Sequence, residues 1–155
     1  METGSEIICH TPGETFAIGE ELGRGLGRGD VVLLYGGLGA GKTLLTKGIV
    51  KSLGFDVDEV SSPSFTLVNL YRVPGIDIYH IDLWRLDSVS NVRAAVGLEE
   101  ILEDPNSVTI VEWADRLRDT TSIQSCIRVR IEGDGDEPRR VTIEKMPVIG
   151  VHEAS

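Results

Sequence analysis

Basic residues are in short supply: 15 Lys and Arg face 25 Asp and Glu, a formal net charge of −10. That balance excludes a domain that grips DNA or RNA unaided, because phosphate binding wants a basic surface. A role near RNA stays open where a partner holds the RNA. Cysteine is scarcer still. Cys9 and Cys126 form no motif and read as two reduced thiols of a cytoplasmic protein. No apolar run approaches the roughly 20 residues of a membrane span. Met1 to Thr11 lacks the basic and apolar regions of a signal peptide, so none is expected. There is no internal repeat and no low-complexity linker.

What is present describes an ordinary globular domain. Hydrophobic residues make up 41% and charged residues 26% of 155. One domain over 1–155 is the simplest organisation, with an ordered core over about 7–146 and a tail beyond. At this length a single core buries roughly two thirds of the unfolded chain's surface, so no disulfide or metal staple is required.

Glycine is concentrated: eight of the 18 fall between Gly23 and Gly41. The backbone there must turn tightly or approach something closely. Before that stretch, Thr11-Pro12-Gly13-Glu14 reads as a helix start, with Thr11 as N-cap and Glu14 completing a capping box. Ile18, Leu22 and Leu26 then form one apolar stripe. Val31-Val32-Leu33-Leu34-Tyr35 is a continuous apolar run, the mark of a strand buried on both faces. A helical stretch follows from Lys42 to about Leu53. Phe65 to Arg72 and Ile76 to Leu83 flank Pro74-Gly75 and predict a hairpin. Ser88 to Glu103 predicts a helix with an internal glycine, Gly97. Val108 to Glu112 is a second buried strand, ending in a carboxylate. Ile127 to Ile131 and Val141 to Ile143 predict a terminal hairpin. The fold class is α/β, a single domain with a mixed parallel and antiparallel sheet flanked by helices.

Gly36-Gly37-Leu38-Gly39-Ala40-Gly41-Lys42-Thr43 matches the P-loop pattern at every fixed position. The spacing has a physical reason. Successive backbone N–H groups curl inward around phosphate oxygens, and glycines permit the curl. The positive end of the following helix adds attraction. Lys42 supplies a cation to the β- and γ-phosphates, and the Thr43 hydroxyl is placed for Mg²⁺. The expected ligands are therefore ATP and Mg²⁺. A carboxylate must hold the metal through water, and another group must place the attacking water. Glu112 and Asp82 both follow apolar strand residues and are the candidates. His80 alternates in phase with Asp82 and reads as a packed, hydrogen-bonded residue. Trp113 reads by default as a core aromatic. The hydroxyl-rich segment with Ser62, Ser64 and Thr66 could sense a γ-phosphate or be an ordinary loop.

These pieces together resemble the TsaE (formerly YjeE) family. The resemblance rests on the P-loop, on Ser62-Pro63-Ser64-Phe65-Thr66-Leu67-Val68, on His80-Ile81-Asp82-Leu83-Trp84-Arg85-Leu86, on Gly97-Leu98-Glu99-Glu100 and on Val111-Glu112-Trp113. They stand in family order from about Thr11 to Ile143. The resemblance implies a P-loop NTPase fold and an ATPase needed for N6-threonylcarbamoyladenosine in tRNAs that read codons beginning with A. It implies the TsaD and TsaB proteins as partners, tRNA contact only through that complex, and no DNA or membrane partner. Carried over residue by residue, Leu38, Gly39, Ala40, Gly41, Lys42 and Thr43 wrap the phosphates, and Thr11 and Pro12 approach the adenine. Thr43 and Glu112 bind Mg²⁺. Lys42, Asp82 and Glu112 serve catalysis, and the segment from Ser61 to Thr66 looks like a switch. Ser64, Trp84 and Ala114 stand where the family more often has threonine, tyrosine and proline. A small-molecule kinase would use the same phosphate cradle and is the alternative. It would need a lid bearing arginines, and no segment clusters them. Arg85, Arg93 and Arg116 are the candidates for an arginine finger. No Asn-Lys-x-Asp segment exists to read guanine.

Overall fold

The computed structural model describes residues 4–37, 39–61, 67–86, 91–117, 123 and 125–146. Along the chain run β1 (Ser5–Cys9), α1 (Pro12–Arg24), β2 (Val31–Gly36), α2 (Lys42–Ser52), β3 (Val68–Val73) and β4 (Ile76–Asp82). Then come α3 (Val92–Val96), α4 (Leu98–Leu102), β5 (Ser107–Glu112), β6 (Cys126–Glu132) and β7 (Arg139–Met146). The strands form one sheet in the order β1-β7-β6-β2-β5-β4-β3. The inner four, β6, β2, β5 and β4, are parallel, while β3 and β7 pair antiparallel with their neighbours. The expected mixed sheet is thus present.

β2 and β5 sit in the middle because nothing in them needs water. Val32 and Leu34 face one apolar layer with Ile18, Leu22, Leu45 and Ile49 of α1 and α2. Val31 and Leu33 face the other, with Leu83, Leu98, Ile101 and Leu117. Alternation along one strand therefore fills two cores, and parallel strands covered on both faces read as unbroken apolar runs.

α1 starts at Thr11, whose hydroxyl accepts from Glu14 N at 3.2 Å. Glu14 Oε1 returns a bond to the His10 N–H at 3.0 Å, so the capping box closes one residue earlier than its usual form. α1 and α2 touch through glycines. A Cβ on Gly48 would stand 2.2 Å from the Phe16 carbonyl oxygen, and one on Gly19 2.2 Å from that of Leu45. Only hydrogen fits there, which brings the start of α1 close to the loop before α2.

The expected hairpin is β3–β4, joined at Pro74-Gly75 with Gly75 at φ +86°. β6 and β7 form the terminal hairpin. Two elements differ from expectation. The single helix predicted over 88–103 is two five-residue helices, α3 and α4, because Gly97 takes φ +68° and ends the first. β1 has no sequence signal and exists through pairing with β7, Ser5 opposite Ile143. No helix among the described residues is long and apolar enough to cross a membrane.

Candidate nucleotide-binding site

The glycine loop leaves the carboxyl end of β2 and enters α2 at Lys42. Gly39 at φ +76° and Gly41 at φ +117° occupy conformations that side chains disfavour, so the spacing of the motif is a backbone requirement. Leu38 lies outside the described residues. Lys42 is only 5% exposed. Its Nζ donates to the Gly36 and Gly37 carbonyls, both at 2.7 Å, and lies 4.0 Å over the Trp113 ring. Burial pushes the ammonium below the ordinary lysine value, and the carboxylates of Glu112, Asp82 and Asp115 push back. A cation held in so dry a place interacts strongly with any anion that reaches it.

The sheet register places the carboxylates. Glu112 stands opposite Leu34 on one side and Asp82 on the other, at the carboxyl ends of three adjacent parallel strands. That end of such a sheet is where α/β proteins bind ligands. Glu112 is buried, and its Oε1 accepts from Thr43 Oγ1 at 2.9 Å. Its Oε2 contacts His80 Nε2. Thr46 Oγ1 is 3.5 Å from the same oxygen and donates to the Lys42 carbonyl at 2.9 Å. Asp82 is also buried, and its Oδ1 accepts from Trp84 N at 2.9 Å. It therefore shapes the short turn Trp84–Leu86, whose Trp84 ring lies 4.5 Å from that of Trp113.

Thr43 and Glu112 together offer a hydroxyl and a carboxylate, both oxygen donors. No group of three or more His, Cys, Asp or Glu able to hold a metal exists among the described residues. That combination fits Mg²⁺, which takes one or two protein oxygens and completes its shell with water and substrate phosphates.

Beside the loop lies a cleft of about 310 Å³, bounded by Thr11, Pro12, Thr15, Ala40, Gly41 and Arg139 among others. Arg139, at the start of β7, donates through Nε to the Ala40 carbonyl at 3.1 Å and through Nη2 to Gly135 O at 3.1 Å. It ties the glycine loop to the β6–β7 turn.

The structure thus gathers Lys42, Thr43, Asp82, Glu112 and Trp113 at one end of the sheet, with Thr11, Pro12, Gly39, Ala40 and Gly41 lining the adjoining cleft. Ser62, Ser64 and Thr66 lie outside the described residues. Trp113 packs against the second apolar layer, as the core-aromatic expectation had it, and it also faces the site. It is half-buried, takes φ +58°, and lies under Lys42. A non-glycine residue at positive φ is a strained position that the surroundings enforce. Of the candidate arginines, Arg93 pairs with Glu99 at 2.8 Å. Arg116 pairs with Asp115 at 3.1 Å and stacks 5.1 Å from the Trp113 ring. Sequence reasoning missed Arg139, whose partner is 99 residues away. His80 is packed and hydrogen-bonded as expected, and its partners are Glu112 and Tyr71. Its alternation in phase with Asp82 was the available signal.

Comparison with known proteins agrees with this geometry. Residues 9–141 match the family model described as threonylcarbamoyl adenosine biosynthesis protein TsaE. Proteins named tRNA threonylcarbamoyladenosine biosynthesis protein TsaE are similar across most of their length. The one from Synechocystis is 38% identical over 117 residues, 75% of this chain and 74% of that one. The one from Treponema pallidum is 34% identical over 137 residues, 88% of this chain and 97% of that one. The crystal structure of Bacillus subtilis YdiB superposes with a TM-score of 0.71 at 30% identity, covering 98% of this chain and 90% of that chain. With the P-loop, the paired strand-end carboxylates and the mixed sheet all in place, the chain belongs to the TsaE family.

Proposed function

We propose that the chain is a Mg²⁺-dependent ATPase of the cytoplasm. It acts with the TsaD and TsaB proteins in forming N6-threonylcarbamoyladenosine in tRNAs that read codons beginning with A, and its hydrolysis of ATP supports the cycle of the partner transferase. The observation that supports this best is the meeting of Lys42, Thr43 and Glu112 at one strand end, in a chain whose relatives are named for that pathway. Loop N–H groups and the start of α2 receive the phosphates. Lys42 exchanges two bonds to neutral carbonyls for bonds to phosphate in which both partners carry charge. The cleft at Thr11 and Pro12 receives the base. Thr43 and Glu112 would hold Mg²⁺, which when bound neutralises charge developing on the β- and γ-phosphate oxygens. Asp82 is the second carboxylate within reach of the reacting phosphate. The net charge of −10 suits docking on a partner protein rather than on bare tRNA.

The test is a titration of a TsaD–TsaB pair with the protein loaded with ADP or with a non-hydrolysable ATP analogue. Tighter binding of the analogue form is expected. By linkage, the partners must then tighten analogue over ADP by the same factor. ATP turnover is measured alongside, with and without the pair. Equal affinities together with no ATP turnover in either arm would refute the proposal.

A further inference from the structure

Glu112 is one end of a longer chain of hydrogen bonds that runs through β4 into β3. His80 on β4 is fully buried and meets Glu112 Oε2 through Nε2. Its Nδ1 lies 3.0 Å from the Tyr71 hydroxyl on β3. Asn69 Nδ2 reaches that hydroxyl at 3.2 Å and the Ser61 carbonyl at 3.1 Å. The register explains the alignment. Asn69 is directly opposite His80, Tyr71 is its diagonal neighbour on the same face, and Glu112 is the diagonal neighbour across β5.

The carboxylate end of the network fixes one proton position. An ionised carboxylate only accepts, so His80 Nε2 carries a hydrogen. The Tyr71 hydroxyl has two partners within hydrogen-bond reach, His80 Nδ1 at 3.0 Å and the Ser61 carbonyl at 3.1 Å. The two amide hydrogens of Asn69 go to Ser61 O and to the Tyr71 oxygen. Every side chain on the path to the carboxylate thus has a hydrogen-bond partner on either side. Thr43 holds the other carboxylate oxygen. A satisfied buried network of this kind fixes its members in one geometry.

We propose that His80 and Tyr71 are positioning residues for Glu112, holding its carboxylate in the orientation in which it meets Thr43 and the Mg²⁺ site. The strength of the metal-linked site then depends on the β3–β4 hairpin as well as on the P-loop. This rests on the ATPase reading above. Partners that orient a metal-linked carboxylate typically change metal affinity or activity by about 10–100-fold when removed.

Tyr71→Phe tests the idea, because it keeps the ring packed 4.7 Å from Phe55 and removes only the hydroxyl. In this variant ADP affinity in EDTA should stay at the wild-type value. The tightening of ADP binding by Mg²⁺ should weaken, and kcat for ATP should fall by about 10-fold or more. In a Glu112→Gln background the same change should add less than about twofold, since its target is gone. Imidazole ¹⁵N shifts of His80 should report a hydrogen on Nε2 in the wild type, and the Nε2 signal should move in Tyr71→Phe. His80→Gln keeps a donor towards Glu112 and should recover part of what His80→Leu loses. Wild-type Mg²⁺ dependence and an unmoved Nε2 signal in Tyr71→Phe would overturn the proposal, as would full additivity with Glu112→Gln. A wild-type protein that turns over no ATP would refute the ATPase reading instead. The metal dependence of ADP binding and the Nε2 signal would still decide this one.

Discussion

Replacing Glu112 with glutamine changes one oxygen for an NH₂ and removes one buried charge. In the folded protein the carboxylate accepts from Thr43 at 2.9 Å and contacts His80, so two charge-assisted bonds become neutral ones. The difference between the two kinds is about 1 kcal/mol per bond, or about 2 kcal/mol of lost stability. Against this, the protein no longer carries the desolvation cost of an ion that is only 2% exposed, which is several kcal/mol. Losing Glu112 also removes its attraction for the Lys42 ammonium, which adds to the first effect, and the opposing effects leave a small net change. The amide can also be accommodated, with its oxygen towards His80 and its NH₂ towards the Thr43 hydroxyl, which rotates to accept. At about 3 °C per kcal/mol for a chain of this size, the melting temperature should move by no more than about 5 °C. Function should respond differently. The charge that orders the metal-linked water is gone, and hydrolysis should fall by about 10–100-fold, or about 1.4–2.7 kcal/mol of barrier. Nucleotide affinity measured by calorimetry in EDTA should persist. Single-turnover ATP hydrolysis and thermal melts on the same preparations provide the assay. Wild-type turnover in Glu112→Gln would refute the reasoning and move the metal role to Asp82. A melting temperature lowered far beyond the stated range would mean that Glu112 serves the fold.

Two further substitutions probe the neighbouring features. Lys42→Met should abolish most nucleotide binding, and it should also change the pH dependence of stability. The native ammonium sits below the ordinary value of 10.5, so between the lowered value and 10.5 the unfolded chain binds more protons than the native one. Wild-type stability should therefore rise relative to Lys42→Met as pH climbs through that window, read from urea melts at several pH values; a flat difference would show that burial does not strain Lys42. Gly48→Ala should destabilise by about 1–3 kcal/mol despite alanine's better helix propensity, because its Cβ would meet the Phe16 carbonyl oxygen at 2.2 Å and force α1 away from α2. A more stable variant in urea would show that the helices can part without cost.

Much of the site was legible because its requirements are local. A loop that must curl around phosphate needs glycines at fixed spacing, and Gly39 and Gly41 take positive φ at the places the motif demands. β2 and β5 were visible because a strand buried on both faces has no polar side to interrupt the apolar run. The hairpin at Pro74-Gly75 and the cap at Thr11 were visible because their turn chemistry lies within four residues. Glu112 and Asp82 stood out as carboxylates at the ends of apolar strands.

Only the tertiary structure decided the rest. β1 is a strand because β7 offers it an edge, and five residues carry too little pattern to say so. The break at Gly97 was ambiguous, since a glycine within a helical pattern can be tolerated or can end the helix, and packing settles which. Trp113 packs against the core as expected of an aromatic, and only the turn at φ +58° also made it the platform under Lys42. Arg139 reaches the glycine loop from 99 residues away, and His80 meets a carboxylate 32 residues away. Side-chain periodicity tells which face a residue occupies and nothing about which strand lies beside it. The order β2-β5-β4-β3 placed Thr43, Glu112, His80 and Tyr71 in one line, and sheet order is a property of the whole chain's burial, which no local stretch of sequence encodes.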